Sequence, residues 1–460
     1  MHDHTRSRRR GGAGVRALLL PALLTLLSCD YLYFDFERLS ENPVKAPPFI
    51  DASGRICIYH GVNVSNYAKH APGFMTWHTK EDFARLREWG FNIVRYLVFW
   101  EGLEPTPGTI DTAYLNAVLL RVQWLDELGI DVVLDMHQDL YSSSFGGSGF
   151  PPWTVHGDTT DYEKVQPWYR NYLHEEIKKS FRAFWSSESL RSAYCAMLEV
   201  VFAAAEPYDN IVGVDIMNEP YRGDLENFEA DVLSYFYQRV VDMVAAGGYT
   251  KKVIFEPSII RSAGLQSHLS FDTDGRCAYA PHFYDILGDR AEHYGSTSRL
   301  IMEEAMFMRV EEAARLGSPL LFGEYGLSPA VRHHVQYLKD FLAEADKHLA
   351  GRIYWAYDHL AHSEYGIIDN AGNPQPNMDA LVRVYPQRIM GRDPDFALSE
   401  NSFSLTYTRI DGSAPTEVFV PTRLTNVQVT VNGLRRMHSG SVFTYHNDDA
   451  PQQRIVITWE

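Results

Sequence analysis

Residues 211–220 read Ile211-Val212-Gly213-Val214-Asp215-Ile216-Met217-Asn218-Glu219-Pro220. The first seven are nearly all apolar and rich in β-branched side chains. A strand buried on both faces requires such a run, because neither face meets water. Pro220 then stops the strand directly after the polar pair Asn218-Glu219. Working outward, seven more runs of this kind appear: Ile56–Val64, Asn92–Phe99, Asp131–Met136, Lys252–Phe255, Cys277–Phe283, Pro319–Phe322 and Arg352–Tyr357. Helical patterns separate them at Thr79–Trp89, Asp111–Leu128, Tyr172–Ala205, Asn227–Ala246, Ser298–Leu316 and Ala330–Leu349. Thr79-Lys80-Glu81-Asp82 is a capping pattern, and Gly90, Gly129 and Gly317 stand just past helix ends. Eight strands alternating with helices predict an α/β protein, a (β/α)8 TIM barrel over residues 46–392. The competing layout, a doubly wound open sheet, would carry a Gly-rich phosphate loop after an early strand, and none is present.

The chain has 460 residues, enough for a barrel and a smaller partner. Hydrophobic residues make up 45% and aromatics 13%, which excludes a disordered chain. The net charge of −17 argues against a nucleic-acid partner. Four Cys exclude a disulfide scaffold and a Cys-rich metal centre. After Arg392 the pattern changes. Ser402–Arg409, Glu417–Leu424, Val427–Val431, Val442–Tyr445 and Arg454–Trp459 alternate apolar with polar, between turn signals such as Asp411-Gly412 and Asn432-Gly433. Residues 393–460 therefore predict a small C-terminal antiparallel β-sandwich that packs on the barrel.

Residues 1–28 have the pattern of an export signal. Arg6, Arg8, Arg9, Arg10 and Arg16 form a basic region before an apolar stretch from Ala17 to Leu27. That stretch is shorter than the about 20 residues a spanning helix needs. Leu26-Leu27-Ser28-Cys29 resembles a bacterial lipobox, with Cys29 as the lipidated first residue; an ordinary signal peptide leading to secretion is the alternative. Residues 29–45 follow as a linker. With Cys29 lipidated, Cys57, Cys195 and Cys277 remain, an odd number that permits at most one internal disulfide.

In a barrel, polar residues at the C-terminal strand ends form the active site. The second strand carries Arg95. The third ends in His137-Gln138-Asp139, the fourth in Asn218-Glu219-Pro220, the sixth in His282-Phe283-Tyr284 and the seventh in Gly323-Glu324-Tyr325-Gly326. The eighth carries Trp355. Strands four and seven face each other across the mouth, so Glu219 and Glu324 can both point at the axis. Two carboxyls about one glycosidic bond are the requirement of a glycosidase: one donates a proton and the other attacks the anomeric carbon. Arg95 in an apolar run needs a carboxylate partner, for which Glu324 is the candidate. His137, His282 and Tyr284 are candidates to orient the nucleophile or to bind sugar hydroxyls. His137, His282 and His359 lack metal-ligand spacing, so neither a metal nor a cofactor is expected. His333-His334 reads as helix surface.

Arg95, His137, Asn218-Glu219-Pro220, His282-Phe283-Tyr284, Glu324 and Trp355 together resemble the clan A retaining glycosidases, specifically glycoside hydrolase family 5. The stretches Gly61–Lys69 and Asp135–Asp139 resemble its endoglycoceramidase subgroup, in which a barrel is joined to a C-terminal β-sandwich. The resemblance implies that Glu219 is the acid/base and Glu324 the nucleophile. It implies that Asn218 holds the sugar 2-hydroxyl and that Arg95 and Tyr284 orient Glu324. Lys69, Asp139, Trp168 and Trp355 are implied glycan contacts. The implied substrate is a glycosphingolipid, met at a membrane surface and cut between glycan and ceramide. The loop Leu140–Pro167, with Gly146, Gly147, Gly149, Phe150 and Trp153, is expected to form an apolar lip for lipid chains. Three other readings stand beside this one: a β-glucosidase of glucosylceramide or steryl glucoside, a polysaccharide endoglucanase, and a glycan-binding surface lipoprotein without catalysis.

Overall fold

The computed structural model describes residues 44–160 and 162–460. The expected signal at 1–28, the lipidation site Cys29 and all but the last two residues of the expected linker lie outside the described residues.

The central sheet is parallel and closes into a barrel. Its strands are His60–Val64, Ile93–Val98, Asp131–Met136, Ile211–Asp215, Lys252–Phe255, the split pair Cys277–Tyr279 and His282–Tyr284, Leu321–Gly326 and Gly351–Tyr354. The sixth strand is expected as one run from Cys277 to Phe283 but is broken at Pro281, which has no N–H to give a ladder. Its first half pairs with the fifth strand and its second half with the seventh. Tyr279 N donates to Pro319 O at 2.9 Å and Gly323 N to Pro281 O at 3.2 Å, so the ring is closed across the break.

Side chains alternate along each strand, so every second residue points to the axis. The inward residues stack in layers. The lowest is apolar and includes Ile93, Val133, Ile254, Ala278, Leu321 and Ile353, with Phe49, Cys57 and Tyr59 packed among them. Two residues further up the second and third strands stand Arg95 and Asp135. Two further again stand Leu97 and His137, with Phe99 and Trp355 above.

The helices follow the expected pattern with local differences. Thr79 caps Lys80–Glu88 with a complete capping box, and Asp111 caps Thr112–Glu127. The expected single helix Tyr172–Ala205 is two, Glu175–Ser186 and Glu188–Ala205. Ser187 ends the first and caps the second by accepting from Leu190 N.

Two five-stranded antiparallel sheets form the second layer system. One runs in the order Phe49–Ile50, Ile56–Cys57, Tyr385–Ile389, Thr416–Phe419, Val442–Tyr445. The other runs Gly391–Leu398, Ser402–Arg409, Gln452–Thr458, Gln428–Val431, Leu434–Arg436. Residue 393 thus lies inside a strand, and the first sheet takes in two short strands from the start of the described chain. The run read as Ile56–Val64 divides accordingly. Ile56-Cys57 pairs antiparallel with Arg388 and Ile389, and only His60–Val64 enters the barrel. Cys57, Cys195 and Cys277 are buried free thiols. No helix among the described residues is long and apolar enough to cross a membrane.

Candidate active site

Arg95 is fully buried on the barrel axis. Its Nε lies 3.0 Å from Asp215 Oδ2, and its Nη2 lies 2.9 Å from Asp135 and 2.8 Å from Glu256. Its Nη1 lies 3.0 Å from Glu324 Oε1. The same guanidinium donates to Asn63 Oδ1 at 3.1 Å and Asn218 Oδ1 at 2.9 Å. Four carboxyls and two amides therefore share one cation. The expected Arg95–Glu324 pair is present, as one arm of this larger arrangement.

Glu324 receives a second tie. Tyr284 donates its hydroxyl to Oε2 at 2.6 Å, while His282 Nδ1 stands 3.5 Å away. Burial works against the charge on Glu324, but His282, Arg95, His137 and Lys69 outweigh it and lower its pKa. Burial likewise disfavours a charged His282, and Glu256, Glu324 and Glu219 reverse this and raise it well above its ordinary value. The proton balance is settled elsewhere in the layer. Burial raises Glu256 well above the usual carboxylate range and also raises Asp215.

Glu219 is placed by its backbone. Its φ is +41°, in the left-handed region that costs a non-glycine residue about 1–3 kcal/mol. Glu219 N donates to Glu256 Oε2 at 2.8 Å, and Gln138 Nε2 donates to the carbonyls of Asn218 and Glu219 at 3.0 Å each. These bonds hold the turn. The Glu219 side chain then takes His282 Nδ1 at 3.0 Å and the Ser262 hydroxyl at 3.1 Å, both on Oε1. Gly323 leaves room for the imidazole, since a Cβ there would stand 3.0 Å from His282 Nε2.

One side-chain atom each of Glu219, His282 and Glu324 lies within 4.8 Å of the other two. A donor set of this composition can hold a divalent cation. The same short spacing is what two carboxyls acting in turn on one anomeric carbon require.

A second group lies toward the mouth. Lys69 Nζ pairs with Asp139 Oδ2 at 2.6 Å and sits 4.1 Å over the Trp355 ring. His137 stacks on Trp355 at 5.7 Å between centroids, with Nδ1 2.7 Å from Asp135 and Nε2 3.4 Å from Asp139. Burial would raise Asp139, yet Lys69 and His137 outweigh it and hold it well below the usual carboxylate range.

The family model for cellulase (glycosyl hydrolase family 5) matches residues 51–360. The chain belongs to glycoside hydrolase family 5. As a family 5 glycoside hydrolase it is similar to endoglycoceramidase I of Rhodococcus hoagii (strain 103S), with 27% identity over 401 residues, 81% of this chain and 78% of that one. Its structure is similar to endo-glycoceramidase II from Rhodococcus sp. in the ganglioside GM3 complex. The TM-score is 0.82 and the identity 27%, covering 90% of this chain and 99% of that chain. The lactosyl-enzyme intermediate of the same Rhodococcus protein matches with a TM-score of 0.81, 28% identity and the same coverage.

Within this family 5 barrel, Lys69, Arg95, His137, Asp139, Asn218, Glu219, His282, Tyr284, Glu324 and Trp355 converge as expected. Trp168 does not join them: it is 41% exposed and its ring contact is Tyr172. His359 is also apart, against Trp77 with Nδ1 on Asp369 O. The expected lip is different in kind. Phe150 is buried among Tyr141, Phe184 and Tyr194, and Trp153 packs on Trp100 and donates to Glu104 O. The exposed apolar residues of this region are Val165, Trp168 and Leu173. Sequence reasoning missed Asn63, Asp135, Asp215, Glu256 and Ser262. Glu256-Pro257 follows the fifth strand as Glu219-Pro220 follows the fourth, and that repeat was a usable signal.

Removing Arg95 leaves its carboxyl partners buried without their shared cation, a loss of about 3–5 kcal/mol for a broken buried pair. Arg95→Met is expected to lose stability on that scale in urea unfolding, together with activity. Stability within about 0.5 kcal/mol of wild type would show that the layer does not depend on this cation.

Proposed function

We propose that the protein is a retaining endo-β-glycosidase that hydrolyses the linkage between the glycan and ceramide of glycosphingolipids. The observation that carries the chemistry is the close approach of Glu219 and Glu324, which fits the about 5–5.5 Å class of double-displacement enzymes rather than the wider inverting class. In this reading Glu324, kept ionised by His282 and Arg95, attacks the anomeric carbon. The bond to the aglycone oxygen breaks as Glu219 delivers its proton to that oxygen. The attack consumes the charge on Glu324 and leaves a deprotonated Glu219 beside the glycosyl ester. Glu219 then takes a proton from water as the water oxygen displaces Glu324 from the glycosyl ester.

The supporting residues have matching chemistry. Asn218 spends its Oδ1 on Arg95 and one Nδ2 proton on Gln138 O, which leaves one N–H for a sugar 2-hydroxyl. Tyr284 and Arg95 fix the two oxygens of Glu324 separately. Lys69, Asp139 and Trp355 offer a cation, an acceptor and an indole face to the glycan. The substrate reading is supported by the similarity to the two Rhodococcus proteins along most of the chain. The chemistry here needs no metal, although the carboxyl–histidine set has suitable donors.

Export completes the reading: residues 1–28 direct it and Cys29 carries a lipid that places the enzyme at a membrane. Labelled palmitate is expected to enter the wild-type protein in a bacterial host and not Cys29→Ala. Equal labelling of both would discard the anchor.

Glu324→Gln and Glu219→Gln are each expected to lower turnover of a natural glycolipid by more than about 100-fold while the melting curve is kept. With an activated aryl leaving group, Glu219→Gln is expected to lose much less of its first-step rate, since little proton donation is needed. Wild-type turnover by either variant on the natural lipid would remove that residue from the scheme.

Incubation with ganglioside GM3 is expected to release the intact oligosaccharide and free ceramide by mass spectrometry. Proton NMR at early times is expected to show the β anomer first. Cleavage of glucosylceramide or steryl glucoside alone would make the protein an exo-glucosidase. Cleavage of cello-oligosaccharides alone would make it an endoglucanase, and an initial α anomer would exclude double displacement.

A further inference from the structure

Asp358 is fully buried four residues past the eighth strand and three beyond Trp355, and the chemistry above makes no use of it. Its Oδ2 accepts from Asn66 N at 2.7 Å, and its Oδ1 accepts from Trp77 Nε1 at 3.0 Å. Asn66 opens the short 3-10 turn Asn66–Lys69, whose last residue is the lysine that reaches Asp139 and Trp355. Trp77 lies further along the same segment, with its ring on His78 at 3.8 Å and His359 at 4.6 Å. Asn66 Nδ2 also donates to His362 O, beyond Asp358 on the same chain segment.

We propose that Asp358 is a positioning residue for the glycan side of the site: its carboxylate ties the Asn66–Lys69 turn and Trp77 to the segment that carries Trp355 just past the eighth strand, and so sets Lys69 against Asp139 and the indole. The proposal rests on the reading of Lys69, Asp139 and Trp355 as sugar contacts.

The choice of residue fits this role. Both partners are N–H donors, so both oxygens must accept. A carboxylate does this. An amide satisfies one donor and turns its own NH2 against the other. Burial raises the Asp358 carboxyl to about 7, with the Trp77, Asn66 and Tyr67 N–H groups and Lys69 pulling the other way. A group placed here only to fill space would not be a carboxyl, because burying one without its donors is costly.

The geometry also explains why one residue controls the pair. Lys69 reaches the site from a loop after the first strand, while Trp355 and Asp358 come from the segment just past the eighth. These strands are neighbours in the barrel, with Tyr354 opposite Val62. The ladder fixes the strands but not the loop. The Asp358 bonds fix the loop.

The test uses the full chain with Asp358→Asn and, separately, Trp77→Phe, which removes one donor and keeps an aromatic ring. Backbone hydrogen exchange of the peptide spanning 64–71 is measured by mass spectrometry, and kinetics are measured on 4-nitrophenyl β-lactoside. Asp358→Asn is expected to speed exchange at 66–69 while the strands bearing Glu219 and Glu324 keep their protection. Its KM is expected to rise by about tenfold or more with kcat within about threefold. Adding Lys69→Ala to Asp358→Asn is expected to cost little more, because the two act through one contact. Trp77→Phe is expected to show the same pattern at smaller size, and it decides the matter alone if Asp358→Asn does not fold. Unchanged exchange at 66–69, a fall in kcat at constant KM, or fully additive losses with Lys69→Ala would each overturn the proposal. A wild-type enzyme inactive on any β-glycoside would defeat the functional reading instead. Exchange at 66–69 would still decide the tether.

Discussion

A single guanidinium holds the centre of the barrel. Arg95 has five N–H donors in a fixed plane and keeps its charge under all ordinary conditions. Around it stand Asp135, Asp215, Glu256 and Glu324, each from a different strand. Four carboxylates cannot all ionise about one cation in a buried layer. The layer resolves this by placing charge unequally. Its neighbours raise the pKa of His282, burial pushes Glu256 and Asp215 toward their neutral forms, and the surrounding cations lower the pKa of Glu324. Glu324 is the least buried of the four and is gripped by Tyr284 as well. The fold therefore favours the ionised form at Glu324, the carboxyl beside Glu219.

This selection requires an irregular backbone. His282, the first residue after the break at Pro281, touches Glu219, Glu256 and Glu324 together. Gly323 gives the imidazole its space. Glu219 adopts a left-handed backbone that its neighbours, Gln138 and Glu256, hold in place. Local cost is thus concentrated where two carboxyls are brought together, and the regular ladders of the other strands offset it.

The barrel was legible because buried parallel strands leave a strong pattern: runs such as Asn92–Phe99 have no polar face. Arg95 stood out in that run, and a buried cation demands a partner. The number of partners was hidden. Asp135 and Asp215 sit within strands read as buried on both faces, but one sequence does not say which strand residues meet at the axis. Ser262 lies in the 3-10 turn Ile259–Ala263, too short to leave a periodic pattern. Phe49–Ile50 has no alternation to read because it is so short, and Ile56–Cys57 was read as the start of the first barrel strand. Phe150 and Trp153 show the limit of composition. A Gly- and aromatic-rich loop looks like a lip, but Phe150 is turned inward onto the helices Glu175–Ser186 and Glu188–Ala205, and Trp153 onto Trp100 and the Glu104 carbonyl.

Charge alternates without interruption from the mouth to the axis. Lys69 meets Asp139, Asp139 meets His137, His137 meets Asp135, and Asp135 meets Arg95, which meets Glu324. Every link is buried or nearly so, where screening by salt is weak and each ion depends on its neighbours. His137 is the hinge of the series. Its two nitrogens face carboxyls on either side, its ring stacks on Trp355, and its net shift is upward despite full burial. A sugar that engages Lys69 or Asp139 would alter the field at His137, and through Asp135 and Arg95 the field at Glu324. On the proposed reading, the groups that would hold the glycan and the group that would attack it are parts of one electrostatic unit. The same logic explains why the Asn66–Lys69 turn is tied down by a buried carboxyl: displacement of the lysine would leave Asp139 facing His137 alone and would disturb charges several residues away.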